Sequence, residues 1–146
     1  MQYDTTVEIA LPIDAVIALY EDRARDADWQ ETLVSLEFIS GEPGQVGTTT
    51  RLHHKMGKRE STMVETITER SLPDLFTATY EAKGVYNLAR NRFAAIEDGR
   101  TRWTLETEFR CSGSMWVLTT VAPGMFRKQT RATMEAFKAF AESRPS

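Results

Sequence analysis

From Phe93 to Cys111 the chain alternates with a period of two. Phe93, Ala95, Trp103, Leu105, Thr107, Phe109 and Cys111 share one parity, and Arg92, Ala94, Ile96, Arg102, Thr104, Glu106, Glu108 and Arg110 share the other. Such alternation marks half-buried strands. A three-residue loop containing glycine, Asp98-Gly99-Arg100, keeps the odd positions of both strands on one side. The segment is predicted to form an antiparallel ribbon with one apolar and one wet face, and the apolar face requires a covering element.

The parity extends backwards along the chain. Lys83-Gly84 reads as a two-residue turn that pairs Tyr80 with Asn87 and Phe76 with Asn91. Arg70 to Pro73 makes the preceding reversal, because Pro73 cannot donate to a ladder. A short loop there sets Ile67 near Phe76 and Met63 near Tyr80. Gly57-Lys58 turns the chain once more and places Leu52 opposite Met63, Thr50 opposite Glu65 and His54 opposite Ser61. Five successive strands then share one inner face without a register conflict.

Before them, Gln2 to Ala10 alternates as a strand, and a helix starts at Leu11-Pro12-Ile13-Asp14 with Pro12 in its first turn, where a missing N–H is harmless. Val16, Leu19 and Tyr20 form its buried stripe, and the charged run Glu21 to Asp28 holds a second short helix ending near Trp29. Leu33 to Ser40 is a strand leaving through Gly41-Glu42-Pro43-Gly44. After the ribbon, Ser114 is placed to cap a segment from Met115, and Pro123-Gly124 interrupts it. A long helix from Met125 to about Glu142 carries Phe126, Thr130, Thr133, Met134, Phe137 and Phe140 at helical spacing. The break at Pro123-Gly124 frees Met125-Phe126 to act as a gate, and Ser143 to Ser146 read as a frayed tail.

Composition narrows the function classes. At 146 residues, 41% hydrophobic and 27% charged, the chain matches one domain, residues 1–146, able to bury a core without metal or disulfides. Its lone cysteine, Cys111, excludes an intrachain bridge and faces inward as an apolar filler. Asp4 and Glu8 interrupt the opening residues and no apolar run reaches spanning length, so a cytoplasmic protein without a membrane span is expected. The net charge of −3 argues against nucleic-acid binding by bulk electrostatics. Arg90, Arg92, Arg102 and Arg110 gather on the outer face, but Glu106 and Glu108 stand among them as ion-pair partners. No phosphate loop, Cys/His metal spacing or nucleophile elbow is present, and His53 and His54 point to opposite faces. Neither cofactor nor metal is implied.

The order is strand, two short helices, six strands, long C-terminal helix. With the segments VEIALPIDAVIALYEDRARDADW, LEFISGEPGQVGTTTRL and PGMFRKQTRATMEAFKAFAES, it resembles the SRPBCC superfamily, in the branch of polyketide cyclase/dehydrase, START-type lipid-transfer domains and the birch-pollen allergen fold. The resemblance implies an α+β helix-grip fold: a seven-stranded antiparallel sheet wrapped around a long C-terminal helix, with two short helices between strands 1 and 2. It also implies an elongated apolar cavity between sheet and helix, and it carries no catalytic signature.

Under that resemblance the inner face has two readings, a core filled by side chains or a cavity wall. Leu52, Met63, Ile67, Phe76, Tyr80, Phe93, Trp103, Leu105 and Phe109 would supply apolar walls, and His54, Glu65, Asn87, Asn91 and Thr107 polarity. Met115, Trp116, Leu118, Met125, Phe126, Thr130, Met134 and Phe137 would face them from the helical side. His54 and Glu65 read as a diagonal pair that raises the histidine above an isolated buried imidazole, either as an acid/base element or as a satisfied structural pair. Tyr80, Asn87 and Asn91 either orient a ligand oxygen or satisfy one another.

The expected function is binding of a small hydrophobic molecule (lipid, polyketide or aromatic). The alternative is a cyclase/aromatase-like enzyme using His54, Glu65 or Tyr80, and a third class is a module that meets a protein partner through the outer arginine-rich sheet or an edge strand.

Overall fold

Tyr3, Thr5, Val7 and Ile9 are buried on β1 (Gln2–Ile9), while Gln2, Asp4 and Thr6 are exposed. The period-two pattern of the opening residues thus folds as it reads. In the computed structural model, which describes residues 1–144, β1 leads into α1 (Ile13–Glu21), a 3-10 turn at Arg23–Arg25 and α2 (Asp26–Trp29). The strands β2 (Leu33–Ser40), β3 (Thr49–Met56), β4 (Arg59–Ser71), β5 (Leu75–Ala82), β6 (Val85–Ile96) and β7 (Arg100–Cys111) follow, then α3 (Ser114–Val121) and α4 (Pro123–Glu142). All seven strands pair antiparallel in the order β1-β7-β6-β5-β4-β3-β2. This is the helix-grip arrangement, with α4 lying along β1 and α2. No helix among the described residues is long and apolar enough to cross a membrane.

Two hairpins keep the register that their turns dictate. Tyr80 faces Asn87 and Phe76 faces Asn91, and Leu52, Thr50 and His54 face Met63, Glu65 and Ser61. At the β5–β6 turn Gly84 adopts φ +77°, and a Cβ there would press on the Ser112 carbonyl at 3.1 Å. That close approach seats the hairpin beneath α3.

Three local expectations are corrected. Ile67 lies opposite Ala78 rather than Phe76, and Tyr80 opposite Glu65 rather than Met63. The cause is that β4 runs on to Ser71, with a bulge between Ile67 and Glu69, so the chain reverses later, through Leu72-Pro73-Asp74. Because the slip at Ile67 is even, the inner face is unchanged. The β6–β7 loop is Glu97-Asp98-Gly99, with Ile96 opposite Arg100; still three residues long, it preserves parity. Ser114 does not cap α3: it is the first helical residue, and Gly113 at φ 62° holds the cap position without a side-chain bond.

The break between α3 and α4 falls at Ala122, whose φ of −135° and ψ of 57° leave the helical region, and Pro123 opens α4. Two anchors hold α4 on β1. The Tyr3 hydroxyl donates to the Phe126 carbonyl at 3.0 Å and lies 2.7 Å from Thr130 Oγ1. At the far end Lys138 Nζ donates to the Glu8 carbonyl, and Glu142 accepts the Ala10 N–H. Of the tail expected to fray, Ser143 still donates its backbone N–H to Ala139, and residues 145–146 lie outside the described residues.

Tyr20 is the hub of the core. Its ring meets Phe93, Trp103, Phe76 and Phe137 edge-on at centroid distances of 5.2, 5.7, 6.0 and 6.0 Å, an arrangement that aromatic quadrupoles favour. Phe137 also receives Trp29 at 5.0 Å. On the outer face Arg92 pairs with Glu106, Arg102 with Glu8 and Arg110 with Glu108, the ion-paired exterior read from the parity. Truncating Tyr20→Ala is expected to destabilise the fold by roughly 3 kcal/mol, as large-to-small aromatic changes do, whereas Tyr20→Phe keeps most of the packing. Urea unfolding followed by circular dichroism measures both, and a negligible loss for the alanine variant would deny Tyr20 its central place.

Candidate functional site

Tyr20, Arg23, Asp26 and Trp29 recur every three residues through the end of α1, the 3-10 turn and α2, a spacing that aligns side chains on one side of a helical path. That side faces the sheet. Arg25, off the series, turns outward to Asp22 and Asp28 at 3.4 and 3.8 Å. Arg23 reaches in, donating from Nη1 to Glu65 Oε1 at 2.7 Å and from Nε to Asp26 Oδ2 at 2.6 Å. Glu65 and Asp26 are 4% and 2% exposed. A guanidinium thus bridges two buried carboxylates, one on the sheet and one on the helical corner.

Burial and charge set the protonation of this group. Burial alone would pull Arg23 down, but Glu65 and Asp26 more than reverse it, leaving the guanidinium a permanent cation. Burial pushes the Asp26 carboxyl up to about 6, with Arg23 opposing. Tyr80, directly across from Glu65, has its phenol held well above the usual range, first by burial and then by the Glu65 charge. Tyr20 is raised by the same two causes in the same order. Thr50 Oγ1, on the residue opposite Glu65 on the other strand, and Trp29 Nε1 are buried without hydrogen-bond partners among the described residues.

The expected His54–Glu65 pair does not form. Thr50 lies opposite Glu65 and His54 opposite Ser61, as expected, but that register puts His54 four strand positions from Glu65, roughly 13 Å at about 3.3 Å per residue, beyond diagonal reach. Its Nδ1 is 2.9 Å from Thr32 Oγ1. Burial, followed by neighbouring His53, lowers its pKa instead of raising it. Both histidines border a concavity of about 310 Å³ at the β3–β4 hairpin, away from the Arg23 group.

The asparagines also have their own partners. Asn91 accepts the Trp103 indole N–H at 3.0 Å and donates to the Phe76 carbonyl at 3.3 Å. Asn87 donates to the Glu108 carbonyl at 3.0 Å. They are bound into the sheet and do not satisfy Tyr80.

The apolar candidates separate into two ends. Leu52, Ile67, Phe76, Phe93, Trp103, Met134 and Phe137 are buried, most of them around Tyr20, and at that end side chains fill the space. Leu105 and Tyr80 are partly buried and pack against these buried groups, while Met63, Asn87 and Phe109 face inward yet remain partly exposed outside them. From the helical side Met115, Leu118, Phe126 and Thr130 are also partly exposed, and Phe126 meets Phe109 at 5.1 Å. Thr107, between Leu105 and Phe109, keeps a buried hydroxyl without a partner among the described residues. Trp116 and Met125 are more than half exposed and are not wall residues. Cys111 is partly buried, and burial raises its thiol, against a nucleophilic role.

Reading the sequence missed Arg23, Asp26, Trp29 and Tyr3. Tyr3 lay in the alternation of β1. The other three lay in the three-residue spacing from Tyr20, masked by Glu21, Asp22, Arg25 and Asp28.

The site thus consists of a sheet face covered by helices, with a buried Arg23–Glu65–Asp26 group against it. The chain belongs to the polyketide cyclase / dehydrase and lipid transport family, whose sequence profile matches residues 1–142. Among solved structures it is similar to the Zhui aromatase/cyclase from Streptomyces sp. R1128, with a TM-score of 0.78, 18% identity, and coverage of 99% of this chain and 94% of that one. It is also similar to norcoclaurine synthase from Thalictrum flavum, solved with dopamine and hydroxybenzaldehyde, with a TM-score of 0.75, 16% identity, and coverage of 100% and 88%. A third, Ara h 8.0201, gives a TM-score of 0.79 at 12% identity and coverage of 99% of both chains. At such identities these likenesses define the fold. Comparison with curated proteins returned no match.

The Asp26 environment has a consequence for pH. Its folded pKa of about 6 exceeds the ordinary 3.8, so between those values the folded state binds more protons than the unfolded one. Stability contributed at this site therefore rises as pH falls through 6 and levels off below about 4. Across that window the wild type is expected to gain on Asp26→Asn by on the order of 2 kcal/mol, read from urea midpoints at pH 7.5 and 4.5. A difference that does not change with pH would show that Asp26 is not ionised against burial.

Proposed function

We propose that this protein binds a small hydrophobic molecule, of lipid, polyketide or aromatic class, between the open half of the inner face and the α3–α4 roof. The observation that carries this reading is the split of the inner face: packed around Tyr20, with Leu105 and Tyr80 joining that packing, yet partly exposed at Met63 and Phe109. Apolar groups that point inward and still meet solvent are what an unfilled ligand site leaves behind. The family's range, which spans cyclisation, dehydration and lipid transport, supports the same ligand class.

The polar end of the ligand is assigned to Tyr80 and the Arg23–Glu65 pair, the charged group that faces the sheet's inner side, because Asn91 is tied to Trp103 and Phe76, and His54 lies at the hairpin. Thr107 Oγ1, buried and unpartnered among the described residues, is a further donor or acceptor for a carbonyl or hydroxyl.

A second reading is catalysis of the cyclase or dehydratase kind. It is favoured by the carboxyl of Asp26, titrating at about 6, in the same group as a neutral phenol and a fixed cation. Such a set can exchange a proton near neutral pH while its cation stabilises a developing enolate. Glu65→Gln and Tyr80→Phe separate the readings: loss of turnover with retained binding favours catalysis, and weakened binding alone favours carriage.

Titration with the fluorescent probe 1-anilinonaphthalene-8-sulfonate tests the site itself. Saturable binding of one probe per chain is expected, weakened about tenfold or more when Met63→Trp or Asn87→Trp fills the space from either strand. Unfolding midpoints should stay near the wild-type value. Probe binding that is unsaturable, or equal in both variants, would overturn the reading.

A further inference from the structure

From Cys111 to Phe126 there is no charged residue, and from Phe109 to Met134 there are four cations, Arg110, Arg127, Lys128 and Arg131, and no Asp or Glu. This lies within a chain of net charge −3. None of the eight residues of α3 is buried. Trp116, Val117 and Val121 on α3, and Met125 just past the break, are 58%, 49%, 75% and 51% exposed. The opposite side of α3 is also apolar: Met115 packs near Gly84, and Leu118 is partly covered. A helix with apolar side chains both toward the body and toward solvent leaves one of them without cover.

The charges beside this patch select its occupant. Arg110 turns to Glu108 on the outer sheet. Arg127, over the Tyr3 ring at 5.0 Å, and Lys128 stand in the opening turns of α4 next to Met125, and Arg131 follows one turn on, linked to Glu135 at 3.6 Å. An exposed tryptophan and aliphatic groups bordered by cations fit the headgroup boundary of an anionic bilayer. A second copy of this chain fits poorly, because a symmetric contact would bring the same cations together.

We propose that α3 and the α3–α4 joint dock on anionic lipid bilayers, and that an apolar ligand passes there between bilayer and cleft. The docking stands on the exposed residues and their charges; the passage rests on the ligand-binding reading above. Met115 and Phe126 connect the two, since they adjoin the exposed patch and also reach Gly84 and Phe109 of the sheet.

Co-sedimentation with vesicles of phosphatidylcholine and phosphatidylserine, against phosphatidylcholine alone, tests the docking. Binding is expected to the anionic vesicles and to weaken with added salt. Tryptophan emission should shift to the blue, a signal assignable to Trp116 because Trp29 and Trp103 are already buried. Val121→Asp, at a position too exposed to disturb folding, should weaken vesicle binding about tenfold or more. Replacing Arg127, Lys128 and Arg131 together by Gln should weaken it about a hundredfold, from roughly fivefold per cation. Unchanged unfolding midpoints would show that these variants fold.

Absence of binding to anionic vesicles, or equal binding by Val121→Asp, overturns the docking. So does a lipid-free dimer that Val121→Asp dissolves, which would assign the patch to a second copy. The two readings fail separately: Val121→Asp should still take up the soluble probe, and vesicle binding by a protein that binds no probe would leave docking intact and remove the cleft.

Discussion

One guanidinium determines how the helical corner meets the sheet. Arg23 stands between Glu65 on β4 and Asp26 on α2, and neither carboxylate is accessible enough to be neutralised by water. A buried ion pair adds little net stability, because desolvation offsets the attraction. Breaking it is another matter, since an unpaired buried carboxylate would remain. The pair therefore acts through geometry: only one seating of the corner satisfies all three groups. Tyr20, one turn earlier on the same side, is carried by that seating into the ring of Phe76, Phe93, Trp103 and Phe137.

The division of the inner face follows. The tyrosine on α1 packs against only the part of the inner face that it reaches. Farther along, the covering residues come from α3 and the start of α4, with Met115 near Gly84 and Phe126 against Phe109. A ligand in the open part would meet apolar walls along its length and the Arg23–Glu65–Tyr80 set at its inner end. The same seating thus makes the core and buries the polar group against the sheet.

Parity was the legible part of the fold. Short loops constrain register modulo two, so displacing the β6–β7 loop by one residue and the β4–β5 pairing by two left the inner face as read. What parity cannot give is cover. Phe93 and Phe109 look alike in the strand pattern, yet Tyr20 buries one and leaves the other partly open. Nor can it give the partner of an inward polar group. Glu65 was legible as inward, but its cation sits 42 residues earlier, in a charged run where alternate members face water. His54 shared its face and was assigned to it, although the strand spacing already held the two apart.

The inward polar residues divide by whether the protein already satisfies them. Asn91 bonds through both ends of its amide, to the Phe76 carbonyl and the Trp103 indole, and Asn87 and His54 each hold one bond, to the Glu108 carbonyl and to Thr32, so they brace the scaffold. Thr50, Thr77, Thr107 and the Trp29 indole hold buried polar atoms without partners among the described residues, each at a desolvation cost of about 1–3 kcal/mol. Thr107 lies among the open-end residues, while Thr50 and Trp29 adjoin the Arg23 group. The unmet hydrogen-bonding capacity is thus spread between the packed core, at Trp29, and the sheet, and Thr107 is the member that stands beside the partly exposed Phe109.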